Sequence, residues 1–480
     1  MCNAAIAGNS SATMREHRVV LIADSASDKS PPPMSFHSVA VDSEKKTTIL
    51  SNDNIMDLKK GQTVHLTTGG MTCTVIEELG RGGQGTVYKV DLAGKKMALK
   101  WYHIPPDDKF YKNLQKNVDA GAPSDAFIWP EFLTVKENGS YGYVMKLRPS
   151  GYYEFGQYLL ARHQMKSVSA ILAAAMKICN GFKLLHRFGY SYQDLNDGNF
   201  FIRPEDGDVL ICDNDNVFPQ GEKSGIMGKA RYMAPEIVAG GIPDKFSDRF
   251  SLTVILFMLI YLNHPLEGAK VAACPCMTEG NEKKFYGSEA LFIYDKDDHS
   301  NLPVRGVHTN VIRRWPAFPQ ILRDTFADQL SQQKLKNPQS RLIEQEWEKI
   351  IAKVRDSLVF CPKCRQETFV DGTSNTAKCM ECGAGFDITR RLALADRSIV
   401  LTPGTNVFID MDNIVDMKIQ TATNGEMMLQ NVSNNSWSVE TPSGKIRVVN
   451  VNDFLPARPG LKISFGSSIE GAPNAKAEVK

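Results

Sequence analysis

A glycine-rich stretch followed by a lysine is the first sign of chemistry in this 480-residue chain. The segment ELGRGGQGTVYKV contains Gly80, Gly82 and Gly85, and Lys100 follows in MALKWY. Strand-like sequence lies on both sides of the glycines, whereas a dinucleotide-binding loop must open a helix. Such glycines let the backbone approach triphosphate oxygens, and Lys100 would supply a cation for the α and β phosphates. The apolar walls of an adenine pocket would be Val87 and Ala98. The alternative is a glycine-rich turn that only closes a hairpin.

Two Cys-x-x-Cys pairs form the second candidate site. Cys361 and Cys364 lie in FCPKCRQETF, and Cys379 and Cys382 lie in AKCMECGAGF, after a spacer of 14 residues (365–378). Two such pairs place four thiolates tetrahedrally around one zinc ion, and a shell of four sulfurs leaves no open position for catalysis. The sequence therefore predicts a structural zinc ribbon, with a redox dithiol as the alternative.

Downstream of Lys100, several charged and amide side chains follow one another within short recognisable segments. Asp194 and Asn199 are five residues apart in SYQDLNDGNFFI, and Asp213 ends the apolar run of VLICDNDNV. An Ala-Pro-Glu sequence follows in GKARYMAPEI. Each piece alone could be a solvated loop, so the evidence is the whole series. That series is Lys100, Asp194, Asn199, Asp213, Glu236, Asp248 and Arg341.

Residues 75–355 resemble the protein kinase superfamily. The resemblance is strongest to bacterial serine/threonine kinases that carry a C-terminal zinc ribbon. The stretches that indicate this group are ALKWY, GAPSDAFIWP, VLICDNDNV, MAPEIV, HPLEG, FIYDKDDHSNLPV and WPAFP. The resemblance implies phosphoryl transfer from Mg-ATP to a protein hydroxyl.

The resemblance also implies roles for individual residues. Lys100 would hold the phosphates, while Asp194 would orient the substrate hydroxyl and accept its proton. Asn199 and Asp213 would bind Mg²⁺. Met145 would lie at the back of the adenine pocket, and the backbone of Lys146 and Leu147 would bind the base. The buried ion pair that braces the lower lobe would be Glu236 and Arg341.

Two departures from the family pattern lie beside the catalytic aspartate. The usual His-Arg-Asp is Tyr192-Gln193-Asp194, which suggests that activation does not need a phosphate paired with that arginine. Asn196 replaces the lysine expected two residues after Asp194, and Lys229 replaces a threonine in the later substrate loop. We hypothesise that Lys229 is catalytic and supplies the charge missing at Asn196; the alternative is a solvated loop lysine.

Two further departures concern the partners of Lys100 and Asp213. The Asp-Phe-Gly motif has become Asp213-Asn214-Asp215, so the in/out switch of that motif is expected to be absent. The helix expected around 107–120 contains no glutamate to pair with Lys100, and Gln115 or Asp119 are the candidates. This gap is the main argument for the alternative function, a pseudokinase scaffold that recruits partners through its C-terminal domains.

The pattern of apolar residues predicts the elements that position these groups. Strand-like runs come first and helical runs follow, which indicates an α+β, two-lobed kinase fold with a zinc ribbon and a small all-β sandwich-like domain behind it. The predicted parts are a largely flexible extension (1–65), an N-lobe (66–147), a C-lobe (148–357), the ribbon (358–390), a β-rich domain (391–470) and a tail (471–480).

The β-rich domain faintly resembles a forkhead-associated sandwich through LQNVSNNSW and ISFG. The Gly-Arg and Ser-x-x-His signatures that read phosphothreonine are missing, so a degenerate docking or regulatory module is expected. Relatives of the kinase group often act beside a metal-dependent protein phosphatase and a von Willebrand A-type protein, which implies both as possible partners besides the protein substrate.

Composition sets limits on location and partners. A formal charge of +2 gives no bias toward nucleic acid or anionic membrane. The longest apolar run, 250–262, is about 13 residues and falls short of a bilayer span. The N-terminus lacks the features of a secretory signal. We therefore expect a cytoplasmic protein that binds no nucleic acid and no membrane, with ATP, Mg²⁺ and structural Zn²⁺ as cofactors.

Overall fold

The computed structural model describes residues 57–137, 139–225, 228–466 and 475–480. Most of the extension predicted over 1–65 therefore lies outside the described residues. Its predicted boundary is wrong, because Leu58 and Val64 are already buried in the core of the first sheet.

An antiparallel sheet forms the first lobe, in the order β1-β2-β3-β4-β6-β5. Its strands are β1 (Thr63–His65), β2 (Thr72–Arg81), β3 (Gly85–Leu92), β4 (Lys95–Tyr102), β5 (Pro130–Leu133) and β6 (Gly142–Lys146). Helix α1 (Asp108–Ala120) begins at Asp107, whose side chain accepts from the Phe110 amide. Alternate residues of β4 serve two cores: Leu99 packs with Val90, and Ala98 packs with Leu114 of α1.

The second lobe is mainly helical. Its short strands are β7 (Tyr153–Glu154), β8 (Tyr190–Ser191), β9 (Phe200–Ile202), β10 (Val209–Ile211) and β11 (Phe218–Pro219). Its helices are α2 (Phe155–Leu159), α3 (Val168–Arg187), α4 (Pro235–Val238), α5 (Lys245–Tyr261), α6 (Ala269–Ala272), α7 (Glu279–Lys283), α8 (Thr309–Arg314), α9 (Gln320–Gln329), α10 (Gln332–Lys336) and α11 (Glu344–Asp356). Strands thus come first and helices follow, which confirms the α+β prediction.

Helices α3 and α5 form the centre of this lobe. Helix α5 is apolar around its whole circumference and is buried accordingly. It begins at a capping box in which Asp244 and Ser247 satisfy each other's backbone amides. Among the described residues, α3 alone has the length and hydropathy that could cross a membrane. It packs against α5 and α11 and most of it is buried, as in the core helix of a globular protein.

Four short strands hold the paired cysteines. They form two hairpins, β12 (Leu358–Phe360) with β13 (Glu367–Phe369) and β14 (Thr376–Lys378) with β15 (Gly385–Asp387). The ribbon is docked on the second lobe. The Glu367 carboxylate accepts from the amides of Val168 and Ser169 at the start of α3, and the ring of Phe369 packs on Phe318.

Two antiparallel sheets form the last domain around one apolar core. The strands are β16 (Arg391–Ala393), β17 (Ser398–Val400), β18 (Asn406–Val407), β19 (Met417–Thr421), β20 (Met427–Asn431), β21 (Trp437–Glu440), β22 (Ile446–Val449), β23 (Phe454–Pro456), β24 (Lys462–Ser464) and β25 (Lys476–Val479). One sheet has the order β17-β16-β25-β24-β21-β22 and the other has the order β18-β19-β20-β23.

The prediction of a loose tail over 471–480 is wrong for its last residues. Strand β25 pairs with both β16 and β24, and Ala477 and Val479 point into the core. This strand has only two apolar residues in a polar context, so no sequence pattern predicted it.

The last domain is attached to the second lobe through buried charges. Nη1 of Arg397 donates to both carboxylate oxygens of Asp356, at 2.9 and 2.8 Å, and both side chains are 3% exposed. Arg355 donates to the carbonyl oxygens of Asp410 and Asp412. The kinase-like lobes, the ribbon and the last domain therefore share packed surfaces.

Candidate functional site

Lys100 lies at the centre of the candidate site. Its Nζ is 3.0 Å from Oδ1 of Asp213 and 2.8 Å from Oδ2 of Asp215, and it donates to Gln84 of the glycine-rich loop at 3.2 Å. Burial works against a charged amine here, but the charges of the two aspartates outweigh burial and hold the pKa of Lys100 above its ordinary value. The lysine is therefore a fixed cation between the two lobes.

The glycine-rich loop joins β2 to β3, as the sequence predicts. Gly80 has open space where a side chain would stand, and at Gly82 a Cβ would make only an ordinary contact, 3.8 Å from the Gly85 carbonyl oxygen. Gly85 has a different reason to be glycine: a Cβ there would lie 2.3 Å from the Trp101 carbonyl oxygen of the neighbouring strand. The first two glycines are thus free for a ligand, and the third permits the close pairing of β3 with β4.

The residues predicted to bind adenine converge on one apolar cluster. Ala98 and Met145 are buried there, and Val87 and Leu147 pack against them. Lys146 points away, with its side chain 70% exposed. The cluster also contains Leu210 and Cys212, half-buried residues that the sequence analysis did not select. Leu210 lies in β10 and Cys212 follows that strand, and their proximity to Asp213 was the available signal.

Asp194 and Asn199 are joined by the turn between them. The Asn196 side chain donates to Oδ1 of Asp194 at 3.2 Å, and Nδ2 of Asn199 donates to the Asp194 carbonyl oxygen at 3.1 Å. The Cys212 amide donates to the Asn199 carbonyl oxygen at 2.8 Å, which brings this loop beside Asp213. Burial raises the pKa of Asp194 to about 6, and the charge of Asp213 adds to the effect.

Lys229 lies next to Asn196, the residue whose missing charge it was predicted to replace. Its Nζ donates to Oδ1 of Asn196 at 3.2 Å and is 3.8 Å from Oδ1 of Asp197, with the side chain 62% exposed. At the preceding Gly228 a Cβ would be in tight contact with the candidate base, 3.1 Å from Oδ1 of Asp194. The segment containing Lys229 therefore runs directly past the candidate base.

The lysine, the two loops and the glycine-rich turn match a known family. Residues 73–284 match the family model of the protein kinase domain. This part of the chain is therefore similar to a protein kinase domain.

Relatives of this kinase domain include serine/threonine kinases. Protein kinase C delta type of Rattus norvegicus is 29% identical over 241 residues, 47% of this chain and 35% of that protein. A probable serine/threonine-protein kinase, kinX of Dictyostelium discoideum, is 28% identical over 195 residues, 38% of this chain and 18% of that protein. The chain thus spans about a third or less of these curated relatives. The crystal structure of the Mycobacterium tuberculosis PknI kinase domain has a TM-score of 0.34 at 21% identity, over 45% of this chain and 81% of that one.

Helix α1 of the kinase domain does not supply the partner of Lys100. The side chain of Gln115 donates to Asp119 at 2.9 Å on an exposed face, so the two candidates pair with each other. The buried residues of the helix, Asn113 and Asn117, both donate to the Val217 carbonyl oxygen at 2.8 and 3.0 Å. Asp215, which was not among the predicted residues, is fully buried against Lys100. Its signal in the sequence was a second aspartate two residues after Asp213.

Gln193 holds the segment that follows Asp213. Its Nε2 donates to the Glu222 carbonyl oxygen at 2.6 Å, and its Oε1 accepts from the Ser224 amide at 3.0 Å. A neutral amide thus makes direct contacts at the position where the family pattern has an arginine. The Glu236–Arg341 pair is present as a bidentate contact at 2.6 and 2.9 Å, with Arg341 buried.

A buried histidine, His186, joins two carboxylates beside the loop that contains Asp194. His186 donates to Asp248 at 3.1 Å and to Glu344 at 3.0 Å, and Asp248 also accepts from the Tyr192 amide at 2.7 Å. Burial alone would lower the pKa of His186, but the hydrogen bonds and charges of the two carboxylates raise it to about 9.

Replacing His186 by Gln is expected to destabilise the kinase domain by about 3 kcal/mol at pH 6, since a rise of the pKa from 6.5 to about 9 corresponds to that free energy. A raised pKa gives stability that is complete below pH 6.5 and lost as pH rises through 9. Urea unfolding of wild type and variant at pH 6 and pH 10 measures this, with exposed His65→Gln as the control. An equal difference at both pH values would contradict the charged state.

The four cysteines of the ribbon come together as predicted. Sγ of Cys361 is 3.7 Å from Sγ of Cys382, Sγ of Cys364 is 3.5 Å from Sγ of Cys379, and all four sulfurs lie within 4.8 Å of one another. Four thiolates at about 2.3 Å from one zinc ion would be about 3.8 Å apart in a tetrahedron. The cluster therefore fits a structural zinc ion.

Proposed function

We propose that this protein is an ATP-dependent protein serine/threonine kinase that transfers the γ-phosphate of Mg-ATP to a protein hydroxyl. The observation that carries the proposal is the connected set of contacts that puts Lys100 beside Asp213, and Asp213 beside the loop of Asp194 and Asn199. These groups can bind phosphate, metal and substrate hydroxyl at one cleft between the lobes.

Each group has a chemical task that fits its surroundings. Lys100 binds the phosphates as a fixed cation, and Asp194 orients the hydroxyl and accepts its proton. Asn199 makes its side-chain hydrogen bonds through Nδ2, so its oxygen and the half-exposed Asp213 carboxylate are the hard donors that Mg²⁺ prefers. Bound Mg²⁺ would neutralise charge on the transferred phosphoryl group. The adenine pocket would be the cluster around Ala98 and Met145, with the backbone of Lys146 and Leu147 binding the base.

The alternative is a pseudokinase scaffold that recruits partners through the ribbon and the last domain. Its main support was the missing glutamate of α1. Asp215 weakens that support, because it gives Lys100 a buried carboxylate from another element. The phosphatase and the von Willebrand A-type protein stay expectations of the resemblance, and the cytoplasmic location stays an expectation from the sequence.

Phosphate transfer by the full chain tests the proposal. The assay uses γ-³²P-labelled ATP with Mg²⁺, a generic protein substrate and phosphoamino acid analysis, and repeats each reaction with EDTA. Mg²⁺-dependent label on serine or threonine is the expected result. ATP binding without any transfer would overturn the kinase proposal and favour the scaffold.

Replacing Lys229 by Ala is expected to lower kcat by about 10- to 100-fold, because a charge-assisted contact to the phosphoryl group is worth about 1.5–3 kcal/mol. Lys223→Ala, on the same segment but hydrogen-bonded to the Gly240 carbonyl oxygen, is the matched control and should keep wild-type turnover. Steady-state kinetics with varied ATP and protein substrate measures both. Turnover in Lys229→Ala equal to that of the control would leave Lys229 a solvated loop lysine.

A further inference from the structure

The orientation of Lys100 depends on a carboxylate that α1 does not provide. Among the described residues, its ion-pair partners are Asp213 and Asp215. Asp213 is half exposed and is the proposed metal ligand, so its charge is shared once Mg²⁺ is bound. Asp215 is buried completely and lies away from solvent. A lysine that must hold the phosphates of ATP therefore has one partner that the metal does not share.

Asp215 is built into its position by several contacts. Its Oδ2 accepts from Nζ of Lys100 at 2.8 Å and from the Tyr102 hydroxyl at 2.6 Å. The preceding Asn214 is anchored through Nδ2 to the carbonyl oxygens of Ile128 and Ile211, at 2.8 and 2.9 Å. A buried carboxylate requires such compensation, and here both donors come from the same face of β4.

Helix α1 is attached to the same segment. Asn113 and Asn117 bind the carbonyl oxygen of Val217, two residues after Asp215. The Trp129 indole donates to the Asn117 carbonyl oxygen at 2.7 Å. The helix therefore supports the segment containing Asp215 and does not itself reach the lysine.

We propose that Asp215 is the positioning residue for Lys100, in the role that a glutamate of the preceding helix has in other protein kinases. This inference rests on the proposed function and deepens it. Because Asp215 lies two residues from Asp213 in one anchored turn, the partner of the lysine and the metal ligand move together. The carboxylate that orients Lys100 is therefore not carried by α1, and that helix acts on it only through the contacts of Asn113 and Asn117 with Val217.

The test is a double-mutant cycle on ATP affinity and turnover in the full chain. The variants are Asp215→Asn, Lys100→Met and the double variant, with Asp119→Asn on α1 as the matched control. Asp215→Asn is expected to raise the Kd for ATP and to lower kcat/KM by about 10- to 100-fold, since a misplaced group costs about that much. In the Lys100→Met background the same change should add almost nothing, because Asp215 acts through the lysine. Asp215→Glu keeps the charge and should recover part of the affinity.

Thermal unfolding of every variant comes first. If Asp215→Asn fails to fold, Tyr102→Phe replaces it in the test, because this change deletes only the hydroxyl donor to the same carboxylate. We expect ATP affinity to fall about two- to fivefold, and only when Lys100 is present. The proposal would be overturned by an unchanged ATP affinity in both Asp215→Asn and Tyr102→Phe, or by effects on ATP affinity that add fully to that of Lys100→Met. A larger loss of ATP affinity in Asp119→Asn than in Asp215→Asn would also overturn it. Wild type that binds ATP without transferring phosphate overturns the kinase proposal but leaves the cycle on Kd decisive for Asp215. Wild type that binds no ATP overturns both.

Discussion

Replacing Asp194 by Asn is expected to lower kcat by about 10²- to 10⁴-fold and to leave the Kd for ATP nearly unchanged. General-base catalysis contributes about this factor, and the amide keeps the size of the carboxylate but cannot accept a proton. The Asn196 side chain, which donates to Oδ1 of Asp194, can still donate to the amide oxygen. Initial rates with saturating Mg-ATP, together with ATP titration of each protein, measure the two effects.

The matched control is Asp206→Asn, an aspartate in the exposed turn before β10 that pairs with Arg203. It should keep wild-type turnover. A loss of turnover in Asp194→Asn that is accompanied by an equal loss of ATP affinity would indicate that the residue binds nucleotide and does not act on the hydroxyl. Equal turnover in Asp194→Asn and wild type would remove Asp194 from catalysis.

The environment of Asp194 also predicts the acid limb of the rate profile. Because burial raises the pKa of this carboxyl to about 6, the base is protonated below that pH and ionised above it. Bound Mg²⁺ offsets the contribution of Asp213, but burial remains the larger cause. We expect kcat/KM to fall about tenfold per pH unit below pH 6, and this slope should be missing from the residual activity of Asp194→Asn.

The main chemical groups could be predicted from sequence because they lie in short, ordered motifs. Gly80, Asp194 and Asp213 lie at or near strand ends and turns, Lys100 lies within β4, and the pattern of each of these segments is visible locally. Gly82 follows from its spacing to Gly80, whereas Lys229 was selected through the family resemblance. Their connection in space still needed the fold, since Lys100 and Asp213 are 113 residues apart.

The partner of Lys100 could not be predicted, because helical spacing directed attention to α1. Gln115 and Asp119 have suitable chemistry, but they lie on the exposed face of that helix. Whether a carboxylate faces inward depends on the rotation of the helix about its axis. Asn113 and Asn117 fix that rotation through contacts with Val217, more than 95 residues away. Only the tertiary structure gives this information.

The contact between the ribbon and the second lobe also could not be predicted from the sequence. The cysteine spacing predicts a self-contained metal site, which suggests a separate module. The structure instead uses a ribbon residue, Glu367, as an acceptor for the first amides of α3, the helix that leads into the catalytic loop. A carboxylate at a helix N-terminus is favourable because it satisfies free amides and interacts with the helix dipole. Folding of the ribbon and stability of the second lobe should therefore be coupled.

Removal of the metal is expected to destabilise the kinase domain as well as the ribbon. Structural zinc contributes about 10–16 kcal/mol of apparent binding free energy to small metal-dependent folds, so Cys379→Ser should unfold the ribbon. The loss of the Glu367 acceptor and of the Phe369–Phe318 contact should then cost the second lobe about 2–3 kcal/mol, which corresponds to a fall in Tm of several degrees. Elemental analysis measures the zinc content, and thermal unfolding followed by fluorescence of the buried Trp347 measures the lobe.

Two variants separate the metal from the contact. Cys276→Ser changes an exposed cysteine outside the cluster and should keep both the zinc and the Tm. Glu367→Gln keeps all four thiolates, so it should retain one zinc per chain and yet lose part of the Tm through the weaker interaction with α3. If Cys379→Ser lost its zinc while the Tm of the second lobe stayed at the wild-type value, the ribbon would be an independent module, and Glu367 would contribute nothing to the helix that supports Asp194.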